Sequence, residues 1–517
     1  MGIIRSVATV GGYTMGSRVL GFLRDILIAR VLGTGDLADA FFVSQRFPNL
    51  FRSLFAEGAF NASFVPQFAM RLEADGKAAA KAFAEQVLSV MLMTLLLFTV
   101  AAQIAMPWLM HVLAPGFAEN PAKFGYAVLF TQITFPYLLF ISLTALQGGI
   151  LNSLHRFAHA AAAPILLNVT MIVALVVVVP VTGHPGHVLA WAVAVAGVGQ
   201  FLWMAIACHR AGLALRLPRP RLSPAVKRLL KLMLPGIIGS GVMQINLVIG
   251  TIIASLQAGA VSYLYYADRV YQLPLAVIGS AVGVVLLPEL SRHLRGGRDA
   301  EAMTALNRSI ELSMLLTLPS AAALAVIAFP IVTVLFERGA FGPEASAATA
   351  AALAAYSAGL PAFVLVKGLT PGFYAREDTA TPFRFAVVSM IANTLLSVGL
   401  FQVIGFLGIA LATSIAAWLN VALLAATLGR RGHFAADRRL KSRVLRILLA
   451  SAVMGAGLWL AAGHLAPAWD AALPVRVAAL AALVLGGLAL YAATALAVGA
   501  VRPGELLGAL RRRRGPA

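Results

Sequence analysis

Cysteine is almost missing from this chain. Its single thiol, Cys208, excludes a disulfide framework and a thiolate metal site within one chain. Charge is scarce as well: 12% of the 517 residues are charged against 60% hydrophobic, and the mean hydropathy is +0.88. A water-soluble domain cannot bury so many long apolar runs, so the composition indicates a polytopic membrane protein. Acids are the scarcer sign, with 20 Asp and Glu against 40 Lys and Arg, a net charge of +20. In a soluble chain that excess suggests nucleic acid. Here most basic residues sit in short loops between apolar runs, as the positive-inside rule requires, and no nucleic-acid partner is expected. Catalytic signatures are lacking too. No His-Glu-x-x-His occurs, no Gly-rich loop precedes Lys-Ser/Thr, and His184 and His187 fall together in a short outer loop. Neither a metal nor a nucleotide cofactor is expected, and Glu377-Asp378 reads as a solvated acidic pair. The first apolar stretch is long, carries Arg18 and Arg24 and lacks a small-residue cleavage site, so it reads as a span rather than a leader.

What fills the chain is apolar runs of membrane-spanning length, about fourteen of them. They lie near 6–32, 38–69, 84–113, 124–153, 160–181, 187–208, 229–255, 261–290, 308–335, 345–373, 383–403, 407–428, 444–465 and 475–500. The second and eighth exceed what a bilayer needs and are expected to tilt, bend or protrude. Alternate loops are strongly basic (Arg71 to Lys81, Arg210 through Lys231, Arg292 to Arg308, Arg430 through Arg446), and the chain ends in Arg511 to Arg514. That asymmetry places both termini in the cytoplasm, the last arginines serving as a topology and anionic-lipid anchor.

The sequence also repeats. Residues 105–117 resemble 328–341, and Gly148 to Pro164 with Met171-Ile172 align with Gly368 to Pro382 and Met390-Ile391. The offset is about 220 residues with six spans per copy, the plan of two parallel helical lobes with a substrate between them. The expected organisation is all-α: a first lobe over 1–210, a basic linker over 211–228 and a second lobe over 229–428. A cytoplasmic loop over 429–443, two appended spans within 444–500 and a basic tail over 501–517 follow.

The chemistry sits in the first two runs. Arg18, Arg24, Asp25, Asp39, Arg46 and Arg52 lie at membrane depth, where each charge costs about 2.5–3.5 kcal/mol if it faces lipid. Arg269, beside Asp268, is the deep arginine of the second lobe. Residues adjacent on a helix do not face each other, so Asp268 is not expected to cancel Arg269. Arg46 and Asp39, seven apart, are a candidate internal ion pair, and Arg30 is placed to snorkel at a helix end. Arginine outnumbers acid, so Arg18, Arg24, Arg52 and Arg269 read as the lining of a hydrated cavity. Such a cavity suits a pyrophosphate, which accepts bidentate guanidinium bonds. Gly11, Gly12, Gly16 and Gly21, Pro48, and Pro235 with Gly236, Gly239 and Gly241 let the first, second and seventh spans pack closely or bend.

Seven segments resemble the MurJ (MviN) lipid II flippases across nearly the whole chain. They are Ser17-Arg-Val-Leu-Gly-Phe-Leu-Arg-Asp25, Asp39-Ala-Phe-Phe-Val43, Pro48-Asn-Leu-Phe-Arg52 and Phe55-Ala-Glu-Gly-Ala-Phe60, then Ala114-Pro-Gly-Phe117, Ser262-Tyr-Leu-Tyr-Tyr-Ala-Asp-Arg269 and Pro371-Gly-Phe-Tyr374. The resemblance implies a MATE-like fold with two appended helices that frame a groove for the polyprenyl tail. It implies cavity residues at Arg18, Arg24, Asp39, Arg52 and Arg269, with Asn49, Glu57 and Ser262 as lesser candidates; Asp25 joins them as the acid on the stripe of Arg18. Gln272 stands where several members have glutamate, so no charged role is carried over. Residues 232–255 contain no acid, against the sodium site of some members.

The expected activity is movement of the lipid-linked peptidoglycan precursor to the periplasmic leaflet of the inner membrane by alternating access. Membrane lipids and cell-wall synthesis and division proteins are the expected company. A flippase for another polyprenyl-pyrophosphate saccharide is the nearest alternative. A cation drug exporter needs an acidic cavity, and this one reads basic. A membrane enzyme on a polyprenyl phosphate needs a deep acid, for which Asp39 is the candidate; a non-transporting scaffold would tolerate loss of the cavity arginines.

Overall fold

The computed structural model describes residues 3–53 and 59–501, so Glu57 and the arginine tail lie outside the described residues. Every regular element among them is helical. Two compact units result, Met1–Ser262 with Arg338–Phe341, and Tyr263–Glu337 with Gly342–Ala517. The first holds α1 (Ile3–Leu32), α2 (Asp36–Ser44), α3 (Arg46–Phe51), α4 (Ala59–Ala74), α5 (Gly76–Leu113), α6 (Pro121–Thr134), α7 (Tyr137–Ser153), α8 (Phe157–Val173), α9 (Val179–Thr182), α10 (Pro185–Arg210) and α11 (Pro224–Ala254). From α12 (Ala260–Arg295) the chain passes into the second: α13 (Asp299–Val326), α14 (Ala328–Phe336), α15 (Pro343–Ser357), α16 (Leu360–Tyr374), α17 (Ala380–Ile404), α18 (Leu407–Arg430), α19 (Arg438–His464), α20 (Ala466–Trp469) and α21 (Leu473–Ala497).

Element order and helix stops repeat at the offset seen in the sequence. α1 corresponds to α11, α2–α4 to α12, α5 to α13–α14, α6–α7 to α15–α16, α8–α9 to α17 and α10 to α18. Among the described residues two that are not glycine adopt a left-handed backbone, and they are counterparts: His155 after α7 (φ 57°) and Glu377 after α16 (φ 63°). Each closes the same turn, Arg156 N–H donating to the Leu151 carbonyl and Asp378 N–H to that of Phe373. α10 and α18 end alike, on Gly212 and Gly432, with Leu213 N–H reaching Cys208 and His433 N–H reaching Leu428. The repeat therefore begins its second copy at α11, whereas packing assigns α11 to the first unit. Val226, Leu229 and Met233 of α11 are buried against Phe60, Phe64, Phe83 and Val87 of α4 and α5.

Ten helical stretches among the described residues are long and apolar enough to cross a membrane. The expected spans outside that set are those near 6–32, 38–69, 229–255 and 261–290, the first two elements of each copy. α1 carries four glycines and the Arg18, Arg24, Asp25 and Arg30 charges. The long second run is broken rather than tilted. Pro48 has no N–H for the Ser44 carbonyl, so the helix stops at Ser44; the Thr134 hydroxyl donates to that carbonyl instead, at 3.2 Å. Its counterpart α12 is continuous despite Pro274 and Pro288. The 38 residues of α5 rise about 57 Å, so it protrudes beyond a hydrocarbon core of about 30 Å.

Two clusters fix helix ends. After α1, Gly33 (φ 61°) faces the carbonyl of Ala340, where a Cβ would come within 2.2 Å, and Gly339 (φ 63°) faces that of Arg30 at 2.3 Å. Ala340 N–H donates to the Arg30 carbonyl at 2.9 Å, which is how residues 338–341 come to belong to the first unit. In the second unit the buried Glu311 of α13 takes Arg308, Arg439 and Arg443, and Asp437 takes Arg308 as well. Appended helix α19 is thus joined to α13 by ion pairs as well as by apolar packing. The Glu377-Asp378 pair is not simply solvated: Arg431 donates to Asp378 at 2.6 Å and Thr381 N–H at 2.9 Å. The Arg431 bond, then the Thr381 bonds, hold the Asp378 carboxyl down at about 2.

The left-handed stops give a paired test. His155→Gly should stabilise the purified protein by about 0.5–1 kcal/mol, because only the histidine is strained there. Gly212→Ala should cost about 1–2 kcal/mol at the equivalent kind of stop. Denaturant unfolding in detergent measures both, and stabilities moving in the same direction would contradict the assignment.

Candidate functional site

α1 presents its charges unequally. Arg18 is exposed, with no ion pair among the described residues. Arg24 is mostly enclosed: its Nε and Nη2 both reach Asp25 Oδ1, at 3.0 and 2.7 Å, and Nη1 donates to Asn168 Oδ1 at 2.9 Å. The amide of Asn168 in turn donates to the Ser17 carbonyl at 2.9 Å. Gly21 faces this amide; a Cβ there would lie 3.5 Å from the Asn168 nitrogen, an ordinary contact. Arg24 keeps 16% of its side-chain surface exposed and Asp25 only 4%. Asn168, supplied by α8 and 144 residues away, was not singled out in the sequence; a polar residue in the apolar run 157–173 was the available signal.

Adjacent residues do pair here, which corrects the expectation that they cannot. The Arg24–Asp25 contact is 2.7 Å and Arg269–Asp268 is 3.5 Å. The facing rule concerns Cβ positions; a guanidinium on a three-carbon stem can fold back over the neighbouring carboxylate. In the second unit Arg269 also lies over the Tyr265 ring, 4.8 Å from its centroid, while Gln272 donates to Asp268. Arg269 stays about one-third exposed.

A third group lies where the second run breaks. Arg52 and Ser53 form a wider, π-type turn after α3. Arg52 Nε donates to Asn49 Oδ1 at 3.2 Å, and Gln244 of α11 donates to Ser53 Oγ at 2.9 Å.

Asp39 and Ser262, which the resemblance gives as cavity residues, lie elsewhere, in a sealed cluster. Both residues are completely buried. Lys123 Nζ meets Asp39 Oδ2 at 2.6 Å and Gly259 N–H donates to the same oxygen at 2.9 Å. Ser262 donates to Oδ1 with its hydroxyl and, at 2.9 Å, with its N–H. Asp39 therefore caps the first turn of α12 from another helix, an arrangement favoured by the unbonded N–H groups and the dipole there. Its oxygens are committed to these donors, so the Arg46–Asp39 pair is replaced by Lys123–Asp39. Lys123 also contacts Asp36 at 3.3 Å and sits over the Phe117 ring, and Asn120 donates to Asp36 at 2.9 Å. Lys123 lies 84 residues from Asp39, and its nearest acid in sequence is Glu119, so the sequence gave no sign of this role.

A family model described as lipid II flippase MurJ matches residues 28–478. A probable lipid II flippase MurJ of Rhizobium meliloti is 48% identical over 519 residues, covering 99% of this chain and 96% of the relative. The lipid II flippase MurJ of Burkholderia cenocepacia is 39% identical over 439 residues, covering 84% and 85%. A solved lipid II flippase MurJ in an inward closed conformation superposes with a TM-score of 0.75 at 24% identity, over 94% of this chain and 97% of that one. An inward-facing multidrug-resistance MATE transporter superposes with a TM-score of 0.67 at 16% identity, over 82% and 98%. These two structural likenesses show the fold.

The sealed cluster predicts strong non-additivity. Lys123→Met strands a buried carboxylate and should cost about 3–5 kcal/mol. Adding Asp39→Asn should return much of that loss, which a thermodynamic double-mutant cycle on the purified protein reads directly. Additive losses would show that the two side chains do not depend on each other.

Proposed function

Because the chain belongs to the MurJ family, we propose that it is a lipid II flippase, carrying the lipid-linked peptidoglycan precursor from the cytoplasmic to the periplasmic leaflet of the inner membrane. The reading makes it a transporter and not an enzyme, with both termini cytoplasmic. Family membership over nearly the full chain carries it. The guanidinium groups on α1, in the turn after α3 and on α12 support it, because a basic set suits a pyrophosphate and disfavours a cationic cargo.

In this reading Arg24 is the central phosphate ligand. Asp25 and Asn168 hold its fork in one orientation, so little side-chain freedom is lost when an anion arrives. The pyrophosphate competes with Asp25 for the same donors, exchanging one carboxylate contact for a more highly charged one. Arg18, Arg52 and Arg269 add attraction from exposed or partly exposed positions, with Asn49 beside Arg52. Asp39 and Ser262 act indirectly, by fixing the start of α12, and Glu57 remains a candidate from the resemblance alone. Binding drives an alternating-access cycle only through its difference in affinity between the inward and outward states. An anion leaving an inside-negative cell also gains about 2.3 kcal/mol per charge per 100 mV. Cell-wall synthesis and division proteins are the proposed partners.

The test follows leaflet accessibility of the precursor in cells depleted of this chain and then supplied with variants. Arg24→Ala, Arg52→Ala and Arg269→Ala should each lower outer-leaflet appearance about tenfold or more, the worth of one charge-assisted bond to phosphate. Arg431→Ala, which removes a loop ion pair, should leave it unchanged. Normal appearance with all three alanine variants present at normal levels would end the proposal.

A further inference from the structure

α1 rises about 45 Å over its 30 residues, close to the thickness of a bilayer with its headgroups. In the proposed orientation its last turn therefore lies level with the outer lipid phosphates. Arg30 is in that turn and is exposed. Arg338 lies in the loop between α14 and α15. The interlock of Gly33, Gly339 and Ala340 brings the two arginines near each other. Ala340 N–H donates to the Arg30 carbonyl at 2.9 Å, and the Arg30 stem crosses Gly339, where a Cβ would come within 3.0 Å of Arg30 Cγ. Burial first, and then the Arg30 charge, push the Arg338 guanidinium below its ordinary pKa.

Two guanidiniums held together are unfavourable until a negative group joins them. No carboxylate does this for Arg30, which makes no ion pair or side-chain hydrogen bond among the described residues. The nearby acids in sequence are engaged elsewhere. Asp36 meets Lys123 and Asn120, Asp39 is sealed, and Glu337 takes Arg476 at 3.0 Å. Glu344, in the first turn of α15, is exposed and joins no ion pair among the described residues. Lys123 and Arg476 thus each have a carboxylate, while Arg30 has a second guanidinium for a neighbour. Positive charge is otherwise kept to the cytoplasmic loops, so topology gives no reason for the pair.

Each guanidinium fork can donate to two oxygens of one phosphoryl group. A phospholipid diester carries one charge and two free phosphoryl oxygens, enough for one fork. A diphosphate ester brings two phosphoryl groups and about two charges, one for each fork. We propose that Arg30 and Arg338 together hold the diphosphate of a lipid in the outer leaflet. The proposal rests on the flippase reading for the source of that lipid, the delivered precursor, but uses none of the residues assigned to its binding inside. A diphosphate bound there links the end of α1 to the Arg338–Phe341 loop and reinforces the Ala340–Arg30 contact, so the product stabilises this arrangement.

The full chain in phosphatidylethanolamine nanodiscs is titrated with farnesyl pyrophosphate, with and without Arg24→Ala. Arg24→Ala should leave binding that depends on the outer pair. In that background Arg30→Gln and Arg338→Gln should each weaken it about tenfold or more, the loss of one charge-assisted contact. The two substitutions lie on different segments, so a folding defect in one leaves the other informative. Affinity unaltered by both overturns the proposal. So does the loss of all binding in Arg24→Ala alone, a result that keeps Arg24 as the phosphate ligand. Binding that ignores Arg24→Ala and is lost in Arg30→Gln keeps the outer site and removes Arg24 from the reading. Two further arms identify the ligand in the Arg24→Ala protein. Inorganic pyrophosphate bound as tightly as farnesyl pyrophosphate overturns the proposal in favour of a free anion. Displacement of farnesyl pyrophosphate when half the lipid is phosphatidylglycerol overturns it in favour of an ordinary anionic phospholipid.

Discussion

A charge carried into hydrocarbon must be paired, hydrated or bonded to backbone, at a cost of about 2.5–3.5 kcal/mol where it is none of these. The deep charges of this chain divide along that line. Asp39 is wholly buried and is met by an ammonium, a hydroxyl and two backbone N–H groups. Glu311 is nearly buried and is met by three guanidiniums. Both carboxylates carry more donors than one ion pair supplies, which is what a buried charge needs to recover its lost hydration. Arg18, Arg52 and Arg269 keep contact with the exterior instead, and Arg24 stands between the two groups.

The repeat explains where these groups fall. In each copy the later spans are the apolar ones, and the first two elements carry glycine, proline and charge. A helix that is less apolar than a bilayer requires must be sheltered by its neighbours or face water, and α1 does both along one length, packing on α8 while exposing Arg18. The copies also diverge in an informative way. α2–α4 is broken by Pro48, with Thr134 taking the carbonyl set free, whereas α12 runs through two prolines without a break. The break at Ser44 lets α3 start afresh; α3 carries Asn49, with Arg52 three residues on and so within reach, and it sets Phe51 on a cavity wall.

Much of the fold could be read from residue order alone. Span-length apolar runs, basic loops and the recurring Pro-Gly-Phe and Gly-Ala-Phe ends carry local information, and His155 with Glu377 shows the repeat surviving where the residue types do not. The candidate arginines were legible because charge inside an apolar run has so few structural explanations. Their partners were not. Asn168 lies 144 residues from Arg24, and Lys123 lies 84 residues from Asp39. Only the packing of α8 on α1 and of α6 on α2 brings them together. A spacing of seven put Asp25 on the stripe of Arg18 and Asp39 on that of Arg46, whereas Asp25 pairs with Arg24 and Asp39 with Lys123. Side-chain reach was the other gap, since Cβ geometry understates how far arginine can fold back.

Burial and donor count together separate a structural charge from one with a partly exposed partner, and here they set Asp25 and Asp39 apart. Asp39 cannot exchange its partners for a phosphate: an anion has nothing to offer a carboxylate, and Lys123, the one cation present, is itself enclosed against Phe117. The cluster is therefore a fixed point from which α12 starts. Asp25 is in the contrary position, since its principal partner is a guanidinium that still shows part of its surface. A dianionic phosphate arriving there meets a cation already oriented and already stripped of much of its water by Asp25 and Asn168. The desolvation that makes buried ion pairs a poor source of affinity has largely been met before the ligand binds. In the proposed function the larger charge of the ligand would favour it over Asp25, and the same pairing that keeps Arg24 tolerable in the membrane without substrate would make it a usable phosphate ligand.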